Sequence, residues 1–203
     1  ACQADIMFLM DSSGSIQDTG QNNYQLMKNF IKMLVDRLDI GQDKVRIALT
    51  IFSTNANVEF DYQRYSDKPG LNNAIDNAAY IGGETYTSRG FRLYLDRLSQ
   101  VTAGNRPNVR DVIILITDGN TTSIDRGVLA STLNEVKRRD TAVLGVGIGS
   151  VDRNEMMMIV TPPFTQNYVN VDDFTALVNV LDNVILGTGC SGSNPPPGPQ
   201  PGN

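Results

Sequence analysis

The sequence contains no histidine, only two cysteines, and no apolar run near the roughly 18 to 20 residues that a membrane-spanning helix needs. Without histidine a Ser-His-Asp triad cannot be assembled, and any metal must be held by other ligands. Basic residues are also in the minority. The 17 Lys and Arg against 22 Asp and Glu leave a formal net charge of -5, which argues against a general affinity for nucleic acid. The one dense basic run, Lys137, Arg138 and Arg139, falls where a helix beginning near Asp125 should end, so it complements a helix dipole. The expectation is a soluble domain with no nucleic-acid partner and no membrane insertion.

What remains is an ordinary globular composition, 40% hydrophobic and 19% charged over 203 residues, enough for one α/β domain with a substantial core. Cys2 and Cys190 sit at the two edges of the structured region with no thiol between them. A pair that brackets a domain predicts a disulfide and an oxidising compartment, and a loop this long contributes up to roughly 5 kcal/mol in the chain-entropy account. A domain over residues 1–190 is therefore expected. Residues 191–203 are rich in Pro and Gly, but Gly198 and Gly202 lack the every-third-residue spacing of a collagen helix. A polyproline-like linker or tail is expected there, and the start at Ala1 without an apolar leader fits a mature or excised fragment.

Strand-like apolar runs alternate with amphipathic segments along the chain. Strands are predicted at 4–10, 45–52, 111–117, 142–148 and 168–171, with an alternating, half-exposed edge strand over 56–62. Helices are predicted at 24–38, 71–79, 88–98, 126–139, 154–160 and 174–186. The alternation predicts a doubly wound α/β fold: a mainly parallel central sheet, one antiparallel edge strand, and helices on both faces. The closely spaced glycines at Gly145, Gly147 and Gly149 lack G-x-G-x-x-G spacing and read as close packing at a strand end. Met156 to Met158 reads as helix packing.

The chemistry collects where strands end. DIMFLMDSSGSIQ, Asp5 to Gln17, is an apolar run that stops on Asp11, at the carboxyl edge where doubly wound sheets bind ligands. D-S-S-G-S places Asp11, Ser13 and Ser15 at alternate positions, and a tight turn at Gly14 can aim one carboxylate and two hydroxyls at a common point. Oxygen donors alone suit a hard divalent cation, although the same serines taken alone also serve as caps and turn residues. The strand ending at Thr117 delivers a second acid, Asp118, to the same edge, and GGETYTSRG brings Thr85 and Thr87 to a helix start. A phosphoryl-transfer enzyme with Asp11 as nucleophile would want a further acid beside it, and the following residues are hydroxyls and glycine. No enzymatic activity is expected.

Together DSSGS at Asp11–Ser15, GGETYT at Gly82–Thr87 and ITDG at Ile116–Gly119 resemble the metal-ion-dependent adhesion site of von Willebrand factor type A domains. Integrin inserted domains, matrilins and several collagens share that fold. The resemblance runs from about Ala4 to Leu186, with FSTNANVEFD at Phe52–Asp61 and VLGVGIG at Val143–Gly149 in family order. It implies one divalent cation, Mg2+ or else Mn2+ or Ca2+, among Asp11, Ser13, Ser15, Thr85 and Asp118. Ser13 and Ser15 would ligate directly, Thr85 and Asp118 directly or through water, and a partner carboxylate would fill the open position. Glu84, Tyr86, Asn120 and Thr121 would form the rim. The implied setting is a secreted extracellular-matrix protein, of the collagen, matrilin or byssal-thread kind, binding collagen or another matrix protein. A clasp at Cys190 would tie down the last helix, whose movement raises affinity in integrin inserted domains, so a restrained domain is expected. The sequon Asn120-Thr121-Thr122 follows Asp118 directly; a glycan on Asn120 would crowd this face and favour an alternative, a structural module whose cation only orders loops and whose partners bind elsewhere.

Overall fold

A computed structural model describes residues 2–190; the tail expected at 191–203 lies outside the described residues. Strand β1 (Ala4–Asp11) is buried at all 8 positions, which is why its sequence is continuously apolar between two acids instead of alternating. Strand β2 (Val45–Phe52) lies parallel to it on one side, and β3 (Ala56–Phe60) closes that edge antiparallel to β2. Alternating exposure along β3 matches the half-exposed edge its sequence predicts. On the other side of β1 run β4 (Arg110–Thr117), β5 (Ala142–Ile148) and β6 (Tyr168–Val171), all parallel. The order is β3-β2-β1-β4-β5-β6, so the chain moves one way from β1 to β2 and the other way to β4. The resulting crevice lies at the carboxyl ends of β1 and β4.

Alternate residues of β1 build two cores. Ile6, Phe8 and Met10 meet Met27, Phe30, Ile31 and Leu34 of α1 (Asn23–Arg37) and Val184 and Ile185 of α7 (Leu181–Gly187). Met7 and Leu9 meet Phe91 of α3 (Thr87–Leu93) and Leu129, Leu133 and Val136 of α4 (Arg126–Arg138). Each large side chain so buried stabilises the fold by roughly 1.5–3 kcal/mol before entropy is counted. Met156 of α5 (Arg153–Ile159) joins the second core, whereas Met157 is exposed. The glycine-rich end of β5 is close packing: a Cβ on Gly145 would come 2.9 Å from Val160 and 3.0 Å from the Tyr168 ring.

Some boundaries differ from the sequence expectation, each for a local reason. Helix α2 (Lys68–Asp76) starts before Leu71 because Asp67 caps it, accepting from Gly70 N at 2.8 Å, and Pro69 suits a first turn. The single helix expected over 88–98 is α3 followed by a π-helical turn, Tyr94–Leu98. That wider turn buries Tyr94 and Leu98 together, with the Tyr94 hydroxyl 2.6 Å from both Asp111 and Thr141. The closing helix is a 3-10 segment, Phe174–Val180, that leads into α7; its buried residues Phe174 and Leu177 lie three apart, the spacing that eclipses in a 3-10 turn. A short helix, α6 (Phe164–Asn167), was not legible in the sequence. Cys2 and Cys190 are joined in a disulfide, with Cα atoms 5.5 Å apart, so the segment that follows α7 is tied to the start of β1.

Candidate metal centre

At the carboxyl end of β1 the chain leaves the sheet through Ser12 and Ser13 into a 3-10 turn, Gly14–Gln17. Asp11 is fully buried and accepts from Ser13 N at 2.8 Å and from the Thr117 hydroxyl at 2.8 Å. The Ser13 and Ser15 hydroxyls are 3.3 Å apart, and Ser15 donates to Asp118 Oδ1 at 2.9 Å. Four of the five expected ligands, Asp11, Ser13, Ser15 and Asp118, thus share one hydrogen-bonded cluster from two strand ends. Thr85 is brought alongside by backbone: Gly14 N donates to Gly83 O at 2.8 Å, and Thr122 N donates to Thr85 O at 2.8 Å. Gly83 makes that approach possible. Its φ is +95°, and a Cβ there would sit 2.7 Å from the Thr54 hydroxyl.

The electrostatics are unusual for a buried place. Burial pushes the Asp11 carboxyl up, against the opposing influence of hydrogen bonds from Ser13 and Thr117. Burial, and then the charge of Asp11, push Asp118 up to about 6. No basic side chain figures among the main influences on either acid. Among the described residues no group of three or more His, Cys, Asp and Glu is placed to hold a metal ion, so a cation here would rest on two carboxylates completed by hydroxyls. That donor set is all oxygen, and it fits a hard ion such as Mg2+. Asp11 and Ser13 are buried beneath it while Ser15 is exposed, which leaves one side open to a partner.

Around this cluster Glu84 is exposed, and its amide donates to the Thr54 hydroxyl at 3.0 Å. Tyr86 is half-buried, with the Arg89 guanidinium 4.2 Å from its ring centroid. Asn120 is exposed, and its Oδ1 accepts from Asp152 N at 2.8 Å. Thr121, expected on the rim, is only 4% exposed; its hydroxyl faces Asp125 at 2.6 Å, so it lies beneath the rim and cannot touch a partner.

Several contributors were not singled out from the sequence. Thr117 directly precedes Asp118, and its strand-end hydroxyl was a readable signal. Ser12 accepts from Ile81 N at 2.9 Å, and Tyr80 donates to Ser13 O at 2.9 Å, pinning the segment before Gly82 to the serine turn. Glu155, which accepts from Thr121 N, carries no local sequence signal because it comes from a distant helix.

Comparison with known proteins agrees with this fold. A family model for the von Willebrand factor type A domain matches residues 5–183. The collagen alpha-1(XII) chain of Notophthalmus viridescens is 31% identical over 201 residues, covering 96% of this chain and 21% of that one. The collagen alpha-6(VI) chain of Homo sapiens is 34% identical over 185 residues, covering 91% of this chain and 8% of that one. A solved structure of proximal thread matrix protein 1 from the mussel byssus, described with a zinc occupied MIDAS motif, has a TM-score of 0.84 at 28% identity, covering 94% of this chain and 46% of that one. The chain therefore spans about a fifth or less of these collagens and under half of the byssal protein. These relatives are structural proteins of extracellular matrices, and no helix among the described residues is long and apolar enough to cross a membrane.

Proposed function

The chain belongs to the von Willebrand factor type A domain family, and on that premise we propose that it is a secreted, non-catalytic adhesion module that binds a matrix protein through a divalent cation. Asp11, Ser13, Ser15, Thr85 and Asp118 hold the ion, Mg2+ in the first instance. A carboxylate of collagen or another matrix protein completes its shell. Glu84, Tyr86 and Asn120 line the approach. The observation that carries this reading is the pair Asp11 and Asp118, two carboxyls in one hydroxyl-linked cluster: burial pushes both up, the charge of Asp11 pushes Asp118 further, and no basic side chain figures among the main influences on either. Such a pair is costly unless a positive charge arrives from outside. The adhesive unit is taken as residues 1–190, with 191–203 a linker toward whatever follows.

The test is binding to immobilised fibrillar collagen and a panel of matrix proteins, in Mg2+, in chelator, and with Asp11→Ala. Binding that disappears on chelation and in the variant is the expected result. Binding that survives both removes the cation from recognition and selects the second reading, a structural matrix module with partners on another face. That reading is favoured by one observation, the exposed Asn120 of the sequon Asn120-Thr121-Thr122 beside Asp118, where a glycan would obstruct the approach. Repeating the assay after reducing Cys2–Cys190 probes the clasp on the last helix. A gain in affinity is expected from a restrained domain, and unchanged affinity in a still-folded chain overturns the restraint.

A further inference from the structure

Behind the cation face, Thr121 joins segments that have no sequence proximity. Its amide donates to both oxygens of Glu155, at 3.2 and 3.0 Å, and Glu155 is only 7% exposed on α5. Its hydroxyl lies 2.6 Å from Asp125 Oδ2 and 3.0 Å from Thr85 O, within donating reach of both, and accepts from Thr87 N at 3.2 Å. Asp125, itself 3% exposed, also accepts from Ser88 N at 3.0 Å. Next door, Thr122 and Thr85 exchange bonds: Thr122 N donates to Thr85 O at 2.8 Å, and Thr85 N donates to the Thr122 hydroxyl at 3.2 Å. One residue earlier, Asn120 Oδ1 accepts from Asp152 N at 2.8 Å.

We infer that Thr121 and Glu155 are positioning residues of the cation site: they brace the Asp118 loop against α5 and lock it to the Thr85 loop, so that the two outer ligands keep one spacing. The inference rests on the cation reading proposed above. The brace has a clear task. The Thr85 loop follows two glycines with φ of +80° and +95°, so it would not hold its place beside the Asp118 loop through its own backbone. Two buried carboxylates that accept amide protons supply strong, charge-assisted anchors where water cannot compete. Outer partners of this kind orient ligands, and their loss typically lowers metal affinity by about 10- to 100-fold. The arrangement also bonds α5 directly to the Asp118 loop through both Asp152 and Glu155.

The experiment uses the full chain and the metal alone: Mg2+ and Mn2+ affinity by calorimetry, with thermal midpoints in chelator, for wild type, Thr121→Val, Thr121→Ser and Glu155→Gln. Thr121→Val keeps the shape and removes the hydroxyl; a loss of affinity of about 10-fold or more is expected. Thr121→Ser restores the hydroxyl and should recover most of it, while Glu155→Gln, which keeps the shape and removes the charge, should lose affinity in the same direction. Wild-type affinity in Thr121→Val and Glu155→Gln, with only the midpoint in chelator lowered, overturns the inference and leaves a purely structural network. If Thr121→Val does not fold, the comparison of Glu155→Gln with wild type decides alone. A wild-type chain that takes up neither metal overturns the cation reading itself, and the positioning role with it.

Discussion

At its amino end β1 carries Asp5 and at its carboxyl end Asp11, both 0% exposed, and the protein answers the two charges in opposite ways. Asp5 accepts from Arg106 through Nε at 2.9 Å, Nη2 at 2.7 Å and the backbone amide at 2.7 Å, so a guanidinium fork and an amide close the site from within. Asp11 accepts from the Ser13 backbone amide and the Thr117 hydroxyl, no basic side chain figures among its main influences, and a second acid stands nearby. The same side chain on the same strand is a finished structural pair at one end and an unbalanced charge at the other. A buried carboxylate without a counter-charge marks a place that expects one.

The comparison breaks most sharply at the closed end. Arg106→Met should cost about 3–5 kcal/mol in denaturant unfolding, because Asp5 is left buried and unpaired, and should leave Mg2+ affinity unchanged. A loss below about 1 kcal/mol would mean the two ends are not so different. At the open end the expectation reverses. Asp11→Asn should lower Mg2+ affinity more than roughly 100-fold, yet cost less than about 1 kcal/mol in chelator, since it removes an unbalanced charge while keeping an acceptor. Strong destabilisation in chelator would show that Asp11 is already compensated within the fold.

Proton linkage sharpens the contrast further. Asp118 is raised from 3.8 to about 6, so between those values the folded state binds more protons than the unfolded one. The metal-free domain therefore loses stability from this group as pH rises through that window. A cation needs the ionised form, so Mg2+ affinity should fall as pH drops below about 6, by about tenfold per pH unit where one proton competes. Calorimetry at pH 5, 6 and 7 checks this, and a flat profile would separate Asp118 from the ion.

Much of this was legible before the structure. The continuous apolar runs of β1, β4 and β5 announced buried parallel strands, and DSSGS, GGETYT and ITDG announced strand-end loops with oxygen donors. The misses share a cause. The π-helical turn at Tyr94–Leu98 and the 3-10 entry to α7 follow from what Tyr94, Phe174 and Leu177 meet in the core, and those neighbours are remote in sequence. Thr121 looked like a rim residue because it follows Asp118 in the chain; it faces inward because Asp125 and Glu155 receive it.

Local pattern was enough to set the order of strands and helices, the carboxyl edge as the place where oxygen donors gather, and the absence of histidine and of a second cysteine pair. Those are properties of periodicity and composition, readable wherever neighbours along the chain determine the outcome. Tertiary structure alone decided that Asp5 is matched by Arg106 while Asp11 is not, that Thr117 rather than a basic group faces Asp11, and that Glu155 stands behind the Asp118 loop. Charge compensation depends on distance in space and on the exclusion of water, and neither is written in the spacing of residues along a chain.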